Sequence, residues 1–171
     1  METQTMYKAY GRLNENGYIE KWLNTCFDAD RITDTDVFRE EYTGGHYHKP
    51  TTDDNGVYLY KAPNGKVIDT TDSDRADQYR PQVVTRIKAE AERTILERYP
   101  LHTQTNSERR GMLLLEKMIA GDLTADETAE REAIRTAGEW IDGIREQSNA
   151  MELEIEGMSY DELKSYEVTY G

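Results

Sequence analysis

The chain of 171 residues has one cysteine, three histidines and four prolines. With Cys26 alone, no disulfide closes within the chain and a four-cysteine zinc site is excluded. No apolar run approaches the ~20 residues of a membrane-spanning helix. Residues 1–13, METQTMYKAYGRL, lack the apolar core of a secretory signal. The chain is therefore expected to be made and kept in a cytoplasm. Basic clusters are missing too: 21 Lys and Arg stand against 34 Asp and Glu, for a formal net charge of -13. A nucleic-acid binder needs a basic stripe that displaces counterions. The only dense patch, Glu108-Arg109-Arg110, is short and mixed. Nucleic acid is not an expected partner, and neither is a membrane.

Catalytic signatures are equally sparse. No phosphate loop or dinucleotide fingerprint is present. His102 beside Thr103 and Thr105 is the only local pairing of a base with hydroxyls, and it falls in a polar stretch read as a loop. His46 and His48 face the same way in a strand and lie near Asp53 and Asp54, but no second spaced ligand pair supports a metal site. Asp28, Asp30, Asp34 and Asp36 echo a calcium loop without its central glycine or distal glutamate. Solvated acidic loops account for them better. No catalytic residue, metal ligand or cofactor is assigned.

What is present is a change of period. Residues 1–75 alternate like strands and carry turn signals. Seven of the twelve tyrosines precede Lys61. Residues 6–13 and 18–25 flank Asn14-Glu15-Asn16-Gly17, and Asn-Gly supplies the positive φ of a tight turn. On the second strand Tyr18, Glu20 and Trp22 share one face and Ile19, Lys21 and Leu23 the other. A second hairpin is expected over 57–61 and 66–69, turned by Ala62-Pro63-Asn64-Gly65. Between them, 27–54 reads as a long loop with one short strand near 37–42. Residues 70–74, TTDSD, mark the boundary and offer a helix cap, with Pro81 expected in the first turn.

From there the period is helical. Val84, Ile87, Ala91 and Ile95 recur at helix spacing, and Pro100 is expected to end that helix. A second helix is predicted over 107–120, with Met112, Leu115 and Ile119 on one face, widened by Leu113 and Leu114, and Gly121 as its stop. Thr124 to Glu127 has capping-box spacing. It opens a third helix reaching Glu156, roughly 30 residues or ~45 Å. Ile134, Ala137, Trp140, Ile141, Ile144, Ser148, Met151 and Ile155 line one stripe of it. Ser159 to Glu162 repeats the capping spacing for a short terminal helix. The fold class predicted is α+β: an antiparallel β-hairpin region, 1–75, then a helical hairpin module, 76–171, with one long helix. In it, 95–106 is the corner and 139–155 the return arm.

Residues 93–106, RTILERYPLHTQTN, resemble the helix, Tyr-Pro and Gln-x-Asn pattern of small bacteriophage tail proteins. These include tail-fibre assembly proteins and tail-tip or fibre-associated proteins of phages of Gram-positive bacteria. Residues 139–155 are similar to the Trp-Ile…Arg…Ser-Asn helix that follows in them, and 159–169, SYDELKSYEVT, to their closing tail. Residues 53–67, DDNGVYLYKAPNGKV, resemble their D-x-x-G-x-Y-x-Y-K…G-K-V hairpin. Residues 16–25 stand where they carry an N-G-x-I strand. The resemblance covers most of the chain in the same order; residues 30–48 depart from it, as do Thr103 and Thr105. It implies a non-enzymatic protein that assembles or attaches a tail fibre by protein contacts. Its partner would be a fibre or tail-tip protein, within a homo- or hetero-oligomer. Its place would be the host cytoplasm during assembly, or the virion tail. The alternatives are a permanent component of the tail tip or fibre, and an unrecognised enzyme or metal-binding protein. Tyr18, Trp22, Tyr58 and Tyr60 are the residues expected to meet a partner. Trp140, Ile141, Ile144 and Met151 are expected to pack helices or form an oligomer interface.

Overall fold

The computed structural model describes residues 5–171; the first four positions of the segment read for a signal lie outside the described residues. The fold is α+β. Strands β1 (Met6–Leu13), β2 (Ile19–Asn24) and β3 (Val37–Thr43) form an antiparallel sheet in the order β2-β1-β3. The β1–β2 turn forms because the Asn14 carboxamide accepts from the backbone N–H groups of Asn16 and Tyr18, both at 3.0 Å, while Gly17 takes a φ of 81°. Register slips occur between Arg12 and Leu13 and between Ala9 and Tyr10, the mark of a β-bulge. Ala9, Ile19 and Leu23 are fully buried.

The second hairpin is shorter than its sequence pattern. Only β4 (Tyr60–Lys61) and β5 (Ile68–Asp69) pair, across a 3-10 turn at Pro63–Gly65. Asn64 and Gly65 both take positive φ there. The hairpin's base is completed by Thr70, whose N–H donates to the Leu59 carbonyl and whose hydroxyl donates to that of Tyr58.

Four helices follow: α1 (Asp72–Arg98), α2 (Leu101–Ala120), α3 (Ala125–Glu154) and α4 (Tyr160–Ser165). Contacts divide the chain into two compact units. The first is Met1–Pro81 with Ser159–Lys164; the second is Gln82–Met158 with Ser165–Gly171. The sequence pattern places the boundary at 75/76, which falls inside α1.

In the first unit, α1 starts at a reciprocal cap. The Thr71 hydroxyl accepts from the Asp74 N–H at 3.2 Å, and the Asp74 carboxylate accepts from the Thr71 N–H at 2.8 Å. This cap sets the start so early that Pro81 lies inside the helix, not in its first turn. Having no N–H, Pro81 cannot donate to the carbonyl four residues back. Helix α4 carries the same kind of cap, Ser159 with Glu162.

In the second unit, the buried seam of α1 is Val83, Ile87, Ala91 and Ile95. Val83, not its neighbour Val84, begins it: the two stand four and three residues before Ile87, both same-face spacings, and packing buries the first. Pro100 does end α1, yet it opens no loop. It is the N-cap of α2, and the N–H groups of Thr103 and Gln104 donate to its carbonyl. Residues 101–106 are helical, so 95–106 is not the corner of the hairpin. The corner is at 121–124, where Gly121 takes a φ of 79° and Thr124 and Glu127 form a full capping box. Lys88 with Glu152, Tyr99 with Trp140, Arg110 with Glu130 and Lys117 with Glu127 descend one path as they ascend the other. Helices α1 and α2 thus run one after the other, antiparallel to α3.

Candidate protein-contact surfaces

In the first unit, the four aromatic residues expected to meet a partner form two clusters. Tyr18 and Tyr58 stack nearly parallel at 5.6 Å. Their adjacency comes from the bridge of Tyr18 to Lys61 and from Gln78, whose side-chain oxygen accepts the Tyr58 N–H at 2.8 Å. The pair keeps an open rim on a shallow groove shared with Asn16, Gly56, Asp77 and Pro81. Trp22 and Tyr60 meet edge to face at 5.3 Å, Tyr47 meets Trp22 at the same distance, and the Arg39 guanidinium lies 4.5 Å over the Tyr60 ring. These two are packed from several sides. The Trp22 Nε1–H and the Tyr42 hydroxyl are enclosed with no hydrogen-bond partner among the described residues.

Acidic side chains in this unit are tied into the fold. Asp36, buried, takes two hydrogen bonds from Arg12, at 2.9 and 2.8 Å, and one from the Thr33 N–H. The guanidinium holds its carboxyl below the usual carboxylate range. Burial raises the Asp74 carboxyl, but hydrogen bonds from Lys61 and Thr71 outweigh it and bring it down to about 2. Burial and the Asp53 hydrogen bond push Tyr160 up to about 12. Asp53, also lowered, is turned to Tyr160 and to the N–H groups of Asn55 and Val57. His46 instead stacks on Phe27 at 4.4 Å. Among the described residues no three His, Cys, Asp or Glu side chains converge as metal ligands do. Nor, among them, is any helix long and apolar enough to cross a membrane.

Among the described residues the sheet is open on both sides, at β2, flanked only by the isolated Tyr18–Lys61 bridge, and at β3. No strand pairs with the outer edge of β3 among the described residues. Phe38 on that strand is 47% exposed, with Tyr10 edge-on to it at 5.7 Å, and Phe27 is 56% exposed. Sequence reasoning missed this edge. The signal was available in the Val-Phe-Arg-Glu-Glu-Tyr-Thr run, but the partner strand that makes it an edge is 24 or more residues away.

In the second unit, Ile144 is buried with Ala91 and Ile95, and Trp140 and Ile141 pack against them. Trp140 also lies under Arg98 at 4.5 Å and meets Tyr99 edge to face. Met151 lies on the same stripe. Of this seam Ile144 is buried within the chain, and Trp140, Ile141 and Met151 are half-buried. His102, Thr103 and Thr105 lie in α2, His102 and Thr105 exposed, and the Thr105 hydroxyl donates to the Leu101 carbonyl. The face of Met112, Leu115 and Ile119 does not pack on α3: only Leu114 of α2 is buried. Three consecutive leucines point in three directions, and the contact went to the middle one.

No family model, no curated protein and no solved structure matches this chain.

Proposed function

We propose that this chain is a non-enzymatic protein of a phage tail, acting in assembly or attachment of a tail fibre through protein contacts. The observation that supports the contact mode is the open outer edge of β3 beside exposed Phe38. An unpaired edge offers a row of backbone N–H and C=O groups to an extended segment of another chain. Glu41 on that strand is half exposed and pairs with Lys8 of β1 at 3.9 Å, so the edge offers its backbone groups rather than a free charge. The phage setting rests on the ordered resemblance of the sequence motifs. The open rim of Tyr18 and Tyr58 is a second contact in the same unit, with Trp22 and Tyr60 as its packed support.

Coexpression with the tail-fibre chain of the same phage tests this. Soluble fibre should need this protein, and Phe38→Asp should remove the effect. Fibre that is equally soluble without it, and that never copurifies with it, would sink the proposal. Mass spectrometry of purified virions then separates an assembly factor, absent from particles, from a permanent tail component present in fixed copy number.

A further inference from the structure

Helix α2 carries a second, unrelated surface. Leu101, Met112 and Ile119 are 69%, 69% and 78% exposed, and Leu115 is exposed beside them. Positions 101, 105, 108, 112, 115 and 119 alternate steps of four and three along one side of the helix. That is the heptad spacing by which one helix seats against another. The half-buried row that meets α3 is a different one: 103, 104, 107, 110, 111 and 114. The helix thus has two helix-packing faces, of which one is occupied within the chain.

Charge identifies the occupant of the other. The chain as a whole is at -13, so a second copy is repelled almost everywhere. On α2, Arg110 is engaged by Glu130 and Lys117 by Glu127. Glu108, Arg109 and Glu116 remain, all exposed and without an ion-pair partner among the described residues, and Glu108 is itself a member of the outer row. Arg109 and Glu116 are seven apart, hence at the same heptad position on the same flank of that row. In a parallel pair of helices that position faces a different one. In an antiparallel pair it faces itself. An antiparallel copy that sets Met112 opposite Leu115 of its mate sets Arg109 opposite Glu116 of its mate as well, and the reverse. That register pairs Met112 with Leu115 and satisfies both flanking charges, and it sets Glu108 against Ile119 of the mate at either end of the row, where the carboxylate can reach solvent.

We propose that the outer face of α2 is an antiparallel dimer interface between two copies of this chain, seamed by Met112, Leu115 and Ile119 and locked by two Arg109–Glu116 pairs. It is independent of the β3 edge assigned to a fibre.

Sedimentation velocity of the full chain across a concentration series tests it. The expected result is a dimer at micromolar concentration. Arg109→Glu and Glu116→Arg should each weaken dimerisation about tenfold, because each turns two attractions into repulsions. The double variant Arg109→Glu/Glu116→Arg should recover it. Ile119→Glu should give a monomer with unchanged helix content by circular dichroism, since Ile119 packs on nothing in its own chain. A chain that stays monomeric at all concentrations overturns the proposal. So does a dimer indifferent to the single charge reversals, or one that the double variant fails to restore. None of these results bears on fibre solubility, which reads the other surface.

Discussion

The Tyr160 hydroxyl donates to the Asp53 carboxylate across 107 positions of sequence, and accepts from the Asn55 carboxamide at 3.0 Å. One phenol thereby fixes the terminal helix to the loop ahead of the second hairpin. Tyr160→Phe leaves the half-buried Asp53 carboxylate short of a donor and should cost about 1 kcal/mol. Urea unfolding checks this, with faster amide exchange at residues 53–57 and in α4. Tyr42→Phe is the contrast. Its hydroxyl is enclosed without a partner, so the variant should be neutral or more stable. Equal losses in the two variants would contradict this account.

Stability should fall at both ends of the pH scale. Asp74 has a folded pKa of about 2 against an ordinary 3.8, so its contribution is complete above pH ~4. It is lost as the pH falls from there towards 2, about 1–2 kcal/mol in all after solvent screening. Asp53 and Asp36 are shifted the same way. Tyr160 is raised from 10.0 to about 12, so it stabilises the fold below pH 10 and ceases to do so as the pH climbs to 12. Thermal melts at graded pH should show Asp74→Asn with a shallower acid limb and Tyr160→Phe with a shallower alkaline limb. An acid limb unchanged by Asp74→Asn would count against the Lys61–Thr71–Asp74 cluster.

Two glycines should respond oppositely to alanine. A Cβ at Gly11 would lie 2.5 Å from Ile19 Cδ1 and 3.1 Å from the Trp22 ring. Ile19 is fully buried and has nowhere to move, so Gly11→Ala should destabilise by about 1–3 kcal/mol. A Cβ at Gly143, inside α3, meets nothing within 4 Å. Gly143→Ala should stabilise by about 0.5–1 kcal/mol, because alanine gives up less backbone freedom in a helix. Calorimetry of the pair decides the signs.

Adjacent leucines on α2 should differ sharply. Leu114 is fully buried and Leu113 is 53% exposed. Leu114→Ala should cost about 2–5 kcal/mol and Leu113→Ala within about 0.5 kcal/mol. Denaturant midpoints at a fixed low protein concentration make the comparison. Similar shifts would mean that α2 is rotated from its described position on α3.

The elements legible in the sequence are those whose signals are local. Asn16-Gly17 marked the first turn, and Thr124 with Glu127 marked the start of α3. The α3 stripe was legible because Ile134, Ile141, Ile144 and Ile155 hold one period for six turns. Most of what escaped was decided by distant partners. Residues 101–106, rich in Thr, His and Asn, are weak helix formers; the Pro100 carbonyl, which accepts from the Thr103 and Gln104 N–H groups, and the Gln104 and Thr105 side chains, which bond the Tyr99 and Leu101 carbonyls, hold them in the helix. Val83 and Val84 are identical to any local rule, and register against the rest of the unit selects one. The pairing of β1 with β3 and the bond from Tyr160 to Asp53 join residues that no short window contains. The face of α2 was ambiguous because leucine and methionine surround it.

The break at Pro100 has a consequence for how the long helix α3 comes apart. Its C-terminal half closes on α1 through Ile144, Ala91 and Ile95, whereas its N-terminal half meets α2 with Leu114 as the one fully buried side chain of that helix. Opening energy follows buried apolar contact. The two ends of a single unbroken helix should therefore differ in opening energy, its first four turns exchanging their amide protons with solvent before its last four.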